Sequence, residues 1–137
     1  MEAKEFIGLD VGQKHIGVAR ASSIAALAEP LTTIKTSEDL TQLEKMIREN
    51  SVHSVVVGLP RNLQGDDTAQ TAWVRDWVAR AKKHLVLPFY WQDEALTSKL
   101  AQMHKLSSKN PVDEHAMAAA IILQDFLDTP EAERSVC

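Results

Sequence analysis

Phe6-Ile7-Gly8-Leu9-Asp10-Val11-Gly12, followed by His15-Ile16-Gly17-Val18-Ala19, sets two short apolar runs on either side of a polar Gly12-Gln13-Lys14. Two such runs about a short polar break are expected to form a β-hairpin with a tight turn. Asp10 stands near the end of the first run. A strand buried on both faces carries a carboxylate only where it is paired or holds a metal, because an isolated buried charge is costly. Aspartate also suits turns, where it hydrogen-bonds locally. Asp10 is therefore either a turn residue or a site residue, and the hairpin alone leaves both readings open. Gly8, Gly12 and Gly17 allow a backbone or a ligand to come close.

Outward from the hairpin, Leu31 and Ile34 follow Pro30 and predict a third strand. It should lie at an edge, since proline cannot donate to a ladder. Thr36 and Ser37 precede Glu38 and Asp39 as an expected N-cap with acids in the first turn. Leu40, Leu43 and Ile47 continue at helical spacing. Val55-Val56-Val57 ends at Gly58 and reads as a buried parallel strand. Leu59 to Gly65 is a loop. Asp66 to Leu85 is a second helix, with Trp73, Trp77 and Ala81 on one face. Leu87 to Trp91 is a strand closed by Gln92-Asp93-Glu94. Leu96, Leu100 and Met103 predict a third helix. Pro111 opens a fourth, with Val112, Ala116, Leu123 and Leu127 along one side and Pro130 beyond its end. The order β-β-β-α-β-α-β-α-α predicts an α/β fold. Its mixed five-stranded sheet has three antiparallel strands, then two parallel, with helices on both faces.

The 137 residues fit a single domain (1–137) with a core, and the tail from about 129 to 137 is expected to be loose. A net charge of -4 weighs against a general nucleic-acid binder but allows an enzyme with a local basic strip. Cys137 is the one cysteine, so neither a disulfide framework nor a thiolate metal site is expected. The first five residues lack a signal peptide's apolar stretch, and the run from Ala116 to Leu123 is too short to span a bilayer. A cytoplasmic protein without a membrane partner is expected.

Asp10, Gly58 and Asp93-Glu94 end three strands whose carboxyl ends form one rim, where ligands of such sheets gather. Carboxylates clustered there repel one another and raise each other's pKa values unless a cation joins them. Two strand-end acids with Asp113 from a helix would make a hard oxygen site for Mg²⁺ or Mn²⁺. One or two such ions suit in-line phosphoryl displacement. Simpler roles stand beside these. Asp93 can cap the third helix, with Glu94 as a first-turn acid. Asp113 can sit behind an Asn110 cap. Trp73 and Trp77 fit the core better than a base-stacking platform. The five histidines show no metal-ligand spacing. Lys99, His104, Lys105 and Lys109 form a strip without acids, either a phosphate contact or a solvated face. No P-loop and no GxGxxG occurs.

Five motifs in order resemble the YqgF/RuvX family, described as Holliday junction resolvases and as pre-16S rRNA processing nucleases. They are Leu9-Asp10-Val11-Gly12 with Gly17-Val18-Ala19, Val57-Gly58-Leu59-Pro60 with Asn62 and Gly65, Asp93-Glu94 with Leu96-Thr97-Ser98, Val112-Asp113 with Ala116, and Ile122-Leu123-Gln124. The resemblance spans residues 6 to 127. It implies a ribonuclease H-like fold and a divalent-metal nuclease whose acids map onto Asp10, Glu94 and Asp113. It also implies a cytoplasmic monomer or homodimer. Substrate contacts are expected from Lys14, Arg61, Asn62, Lys105 and Lys109, to precursor 16S rRNA or four-way junction DNA. The sequence departs from the family where Ala95 replaces the usual arginine and where Leu100-Ala101 replaces a Glu-Ala pair. The loop before Val112 is also shorter and less basic. These changes remove phosphate contacts and leave the acids in place. A non-catalytic binding module, or a single-lobe nucleotide-binding protein of the actin and sugar-kinase type, is the alternative.

Overall fold

The computed structural model describes residues 3–94 and 111–137, with side chains of the second segment from Glu114 onward. The third helix expected around Leu96 to Met103 lies outside the described residues. Strands β1 (Glu5–Val11), β2 (His15–Ser22) and β3 (Glu29–Lys35) form an antiparallel meander. A 3₁₀ turn (Thr36–Glu38) leads into α1 (Asp39–Glu49). Then come β4 (Val52–Pro60), α2 (Ala69–His84), β5 (Phe89–Glu94) and α3 (Pro111–Asp128). A second 3₁₀ turn (Glu131–Glu133) leads to a two-residue β6 (Ser135–Val136). The sheet order is β3-β2-β1-β4-β5-β6, with β1, β4 and β5 parallel.

Two expectations are corrected here. The sheet has six strands rather than five, because the tail is not loose. Tyr90 pairs with Val136, and the Cys137 amide donates to Phe89 O. Lys82 Nζ also donates to the Cys137 carbonyl. The tail thus covers the edge of β5, whose backbone groups would otherwise stand unpaired.

The strands alternate between two cores, as period-2 side chains must. Ile7, Leu9 and Val11 face Leu43 of α1 and Val74, Trp77 and Val78 of α2. Phe6, Ala19, Ala21 and Val56 face Ala119, Ile122, Leu123 and Phe126 of α3. Trp77 is buried, with its Nε1 donating to Asp39 Oδ2 at 2.7 Å. The indole is thus a core residue whose one polar atom is satisfied.

Element ends differ in instructive ways. No side chain caps α1 as Thr36 or Ser37 was expected to; the Thr36 hydroxyl donates to Gly12 O and ties the hairpin turn to β3. Helix α2 starts at Ala69 rather than Asp66. Thr68 and Thr71 form a reciprocal capping box there, and the preceding residues are held by the loop. Proline at position 30 is accommodated where the β2–β3 register shifts, between Val18 and Ala19. Among the described residues, no helix is long and apolar enough to cross a membrane.

Candidate active site

Helix α3 lies unusually close to the sheet because three glycines face it. A Cβ at Gly8 would stand 2.7 Å from Leu123 Cβ, and one at Gly17 only 1.9 Å from the His115 carbonyl oxygen. Gly17 pairs with Asp10 across the hairpin. The N-terminal part of α3, at His115 and Ala116 just past its first turn, therefore rests beside the carboxyl end of β1, across from Asp10. His115 stacks on His15 of β2, with ring centroids 5.4 Å apart.

Leu9 pairs with Val57, so Asp10 follows at the level of Gly58 on β4. Two strand spacings, about 10 Å, separate β1 from β5. A side chain at position 58 would fill the space between them. Gly58 leaves it open, and the Glu94 side chain lies there, its Cγ and Cδ 3.0 Å from where a Cβ would be. Glu94 reaches Asp10 across this gap, and the two carboxyl groups share a hydrogen bond. Burial, the Asp10 charge and that hydrogen bond push the Glu94 carboxyl up to about 8. A buried carboxyl held up in this way by a neighbouring carboxylate is the kind of site where a bound cation relieves the repulsion.

The structure thus brings Asp10 and Glu94 together. The Asp113 backbone belongs to the first turn of α3, and its side chain lies outside the described residues. Among the described residues, no group of three or more His, Cys, Asp or Glu stands ready for a metal. Lys105 and Lys109 lie outside the described residues, as do Ala95 and Asn110. Asp93 points to the opposite face from Glu94 and pairs with Arg61, whose Nη1 lies 3.3 Å from its Oδ1.

Arg61 also binds Asp67, Nε to Oδ1 3.1 Å. It clamps the 61–68 loop against the end of β5. The Asn62 side chain is part of the same loop: its Oδ1 accepts from the amides of Gln64 and Asp66 at 3.0 and 2.9 Å. Lys14 is exposed in the hairpin turn, at the same end of the sheet. Gly58 is the functional position that the sequence hid. It reads there as a strand terminus, and only the register shows that it separates two acids.

The RuvX family, described as Holliday junction resolvase, matches residues 4–129. A "Putative pre-16S rRNA nuclease" of Crocosphaera subtropica is 38% identical over 140 residues, covering 96% of this chain and 98% of its own. Proteins of the same name from a Roseiflexus species and Pseudomonas fluorescens are each 37% identical over 93% of this chain. Among solved structures, Thermus thermophilus RuvC in complex with a Holliday junction superimposes with a TM-score of 0.60 at 14% identity. It covers 98% of this chain and 99% of that one. That likeness shows the ribonuclease H-like fold, and the sequence matches show that this chain belongs to the RuvX family of nucleases.

Proposed function

We propose that this protein is a divalent-metal-dependent endonuclease in which Asp10, Glu94 and Asp113 hold Mg²⁺ or Mn²⁺. The observation that carries the reading is the contact between the Asp10 and Glu94 carboxyl groups across Gly58, beside the N-terminal part of α3. The donor set fits: clustered carboxylate oxygens are the ligands that hard divalent cations take. When bound there, such a cation would supply Lewis-acid activation of water and charge stabilisation for phosphoryl displacement. The protein's own part is to hold the two carboxylates at a fixed separation, with the strand ends rigid on both sides. Arg61 and Asn62 shape the neighbouring loop, and Lys14 projects from the turn at the same rim. With Lys105 and Lys109 they would meet the phosphates of the strand.

The names of the relatives favour precursor 16S rRNA as the substrate, over four-way junction DNA. Side-by-side assays of both substrates with Mg²⁺ or Mn²⁺ test this. Cleavage of the RNA precursor that disappears in Asp10→Asn and Glu94→Gln is expected. Undiminished cleavage by either variant, at equal metal concentration, would overturn the assignment of the acids. Preferential cleavage of the junction would overturn the substrate.

A further inference from the structure

A cavity of about 780 Å³ opens at the other end of the sheet, between the starts of β1 and β4 and the end of α3. Its volume falls within the range of about 300–1,000 Å³ usual for small-molecule sites. Phe6 lies about 13 Å along β1 from Asp10, four residues at strand rise. The cavity is thus separate from the carboxylate pair, although both lie on the α3 face.

Two kinds of lining meet there. Half-buried Tyr90 contributes an aromatic surface, backed by the buried Phe6 and Phe126 with ring centroids 5.1 Å (Tyr90–Phe126) and 5.8 Å (Phe6–Phe126) apart. Lys4 and Arg134 contribute two cations against the one carboxylate of Glu131. That local positive excess sits on a chain of net charge -4. Arg134 is already fixed in place. Its Cζ lies 4.4 Å over the Phe126 ring, its Nε donates to Thr129 O, and its side chain is only 16% exposed. Glu131 stands 4.0 Å from it, with a side chain 88% exposed. A guanidinium ordered before binding loses little entropy when it meets an anion. An apolar ligand would leave the exposed Lys4 unused, and a bare anion would leave the Tyr90 ring unused. One chemistry uses both: a planar base that stacks on aromatic or guanidinium surfaces, carrying a phosphate.

We propose that this cavity binds a phosphorylated nucleoside, with its base against Tyr90 and its phosphate between Lys4 and Arg134. The nucleotide is either free or the 5′-terminal residue of a nucleic-acid strand. The site goes beyond the nuclease reading and needs none of the three acids.

The test uses the full chain in EDTA, so that no divalent cation engages the carboxylates. AMP, GMP, CMP and UMP are titrated by calorimetry and by amide NMR, beside adenosine, inorganic phosphate and a 5′-phosphorylated trinucleotide. At least one mononucleotide is expected to bind, shifting the amides of Phe6, Ser54 and Tyr90. Lys4→Glu, at an exposed position, should weaken it about tenfold or more, the worth of a charge-assisted contact. Arg134→Gln should do the same, and Asp10→Asn should leave the affinity unchanged. Equal binding of the trinucleotide identifies a strand end; binding of the mononucleotide alone identifies a free nucleotide. The proposal fails if no mononucleotide binds at millimolar concentration, or if adenosine or phosphate alone matches it. It fails equally if Asp10→Asn abolishes binding while Lys4→Glu does not.

Discussion

At Gly58, an added Cβ would stand 2.6 Å from Ile122 Cδ1 and 3.0 Å from Glu94 Cγ and Cδ. Both neighbours are side-chain ends, so the fold can yield, but only by moving Glu94 off the space it occupies. Gly58→Ala should cost about 1–3 kcal/mol, as overpacking does, and reduce cleavage about tenfold or more by the misplacement of a catalytic group. Adding Ile122→Val relieves the contact with the isoleucine tip. The double variant should therefore recover stability in urea unfolding without recovering activity. The carboxyl pair itself gives a second expectation. Glu94 titrates at about 8 in the folded chain against an ordinary value of 4.5. Between those values the folded state holds a proton that the unfolded chain has lost. Stability from this group is therefore full below 4.5 and is lost as pH rises through 8. In EDTA, Tm should fall across that window, and Glu94→Gln should flatten the fall. A Tm profile identical in the two proteins would show that Glu94 is not the group that titrates.

Helix α3 carries Asp113, the third proposed acid, and Gly17 sets the helix's height above the sheet. A Cβ at Gly17 would meet the His115 carbonyl at 1.9 and 2.2 Å and the Ala116 nitrogen at 2.9 Å. These are backbone atoms, so no rotamer change relieves the clash. Gly17→Ala should cost at least the upper end of about 1–3 kcal/mol in denaturant unfolding. It should also abolish cleavage by lifting the turn that carries Asp113. A fully active, undestabilised Gly17→Ala protein would mean that the N-terminal part of α3 does not rest there. The other end of the helix is held by different means: Gln124 Oε1 accepts from the Ala28 amide at 2.9 Å, which anchors the β2–β3 connection to α3.

Over the whole molecule, a net charge of -4 limits how nucleic acid is held. The overall field repels phosphates, so attraction has to come from local clusters of cations. Affinity should therefore fall steeply with salt, since each neutralised phosphate releases counterions. Removing Lys105 and Lys109 together should lower the slope of log K against log salt by about 1.4 for a single strand, at about 0.7 per contact. An unchanged slope would place the phosphate contacts elsewhere. The six-stranded arrangement pairs the strands that carry the acids, with the tail reaching β5 at Tyr90 and Trp91, short of Glu94. Strands β1, β4 and β5 are each paired on both sides, β5 through the tail.

Among the described residues before the tail, the sequence by itself determined the order of the main strands and helices, the hairpin and the two-sided sheet, because hydrophobic period and turn residues are local signals. It also marked Asp10 and Glu94 as candidates, as acids closing apolar strands, but it left turn and helix-start readings open for both. It could not decide that these two meet. That depends on the parallel register of β1 and β4, on β5 standing two strands away, and on a missing side chain at Gly58 between them. The same limit hid the role of Arg61: its pairing with Asp93 joins residues 32 apart in the chain. The tail was misread for a related reason. Ser135-Val136 is too short to signal a strand, and it becomes one only because β5 offers an unpaired edge. Local patterning made the elements; tertiary packing decided which of their side chains share a site.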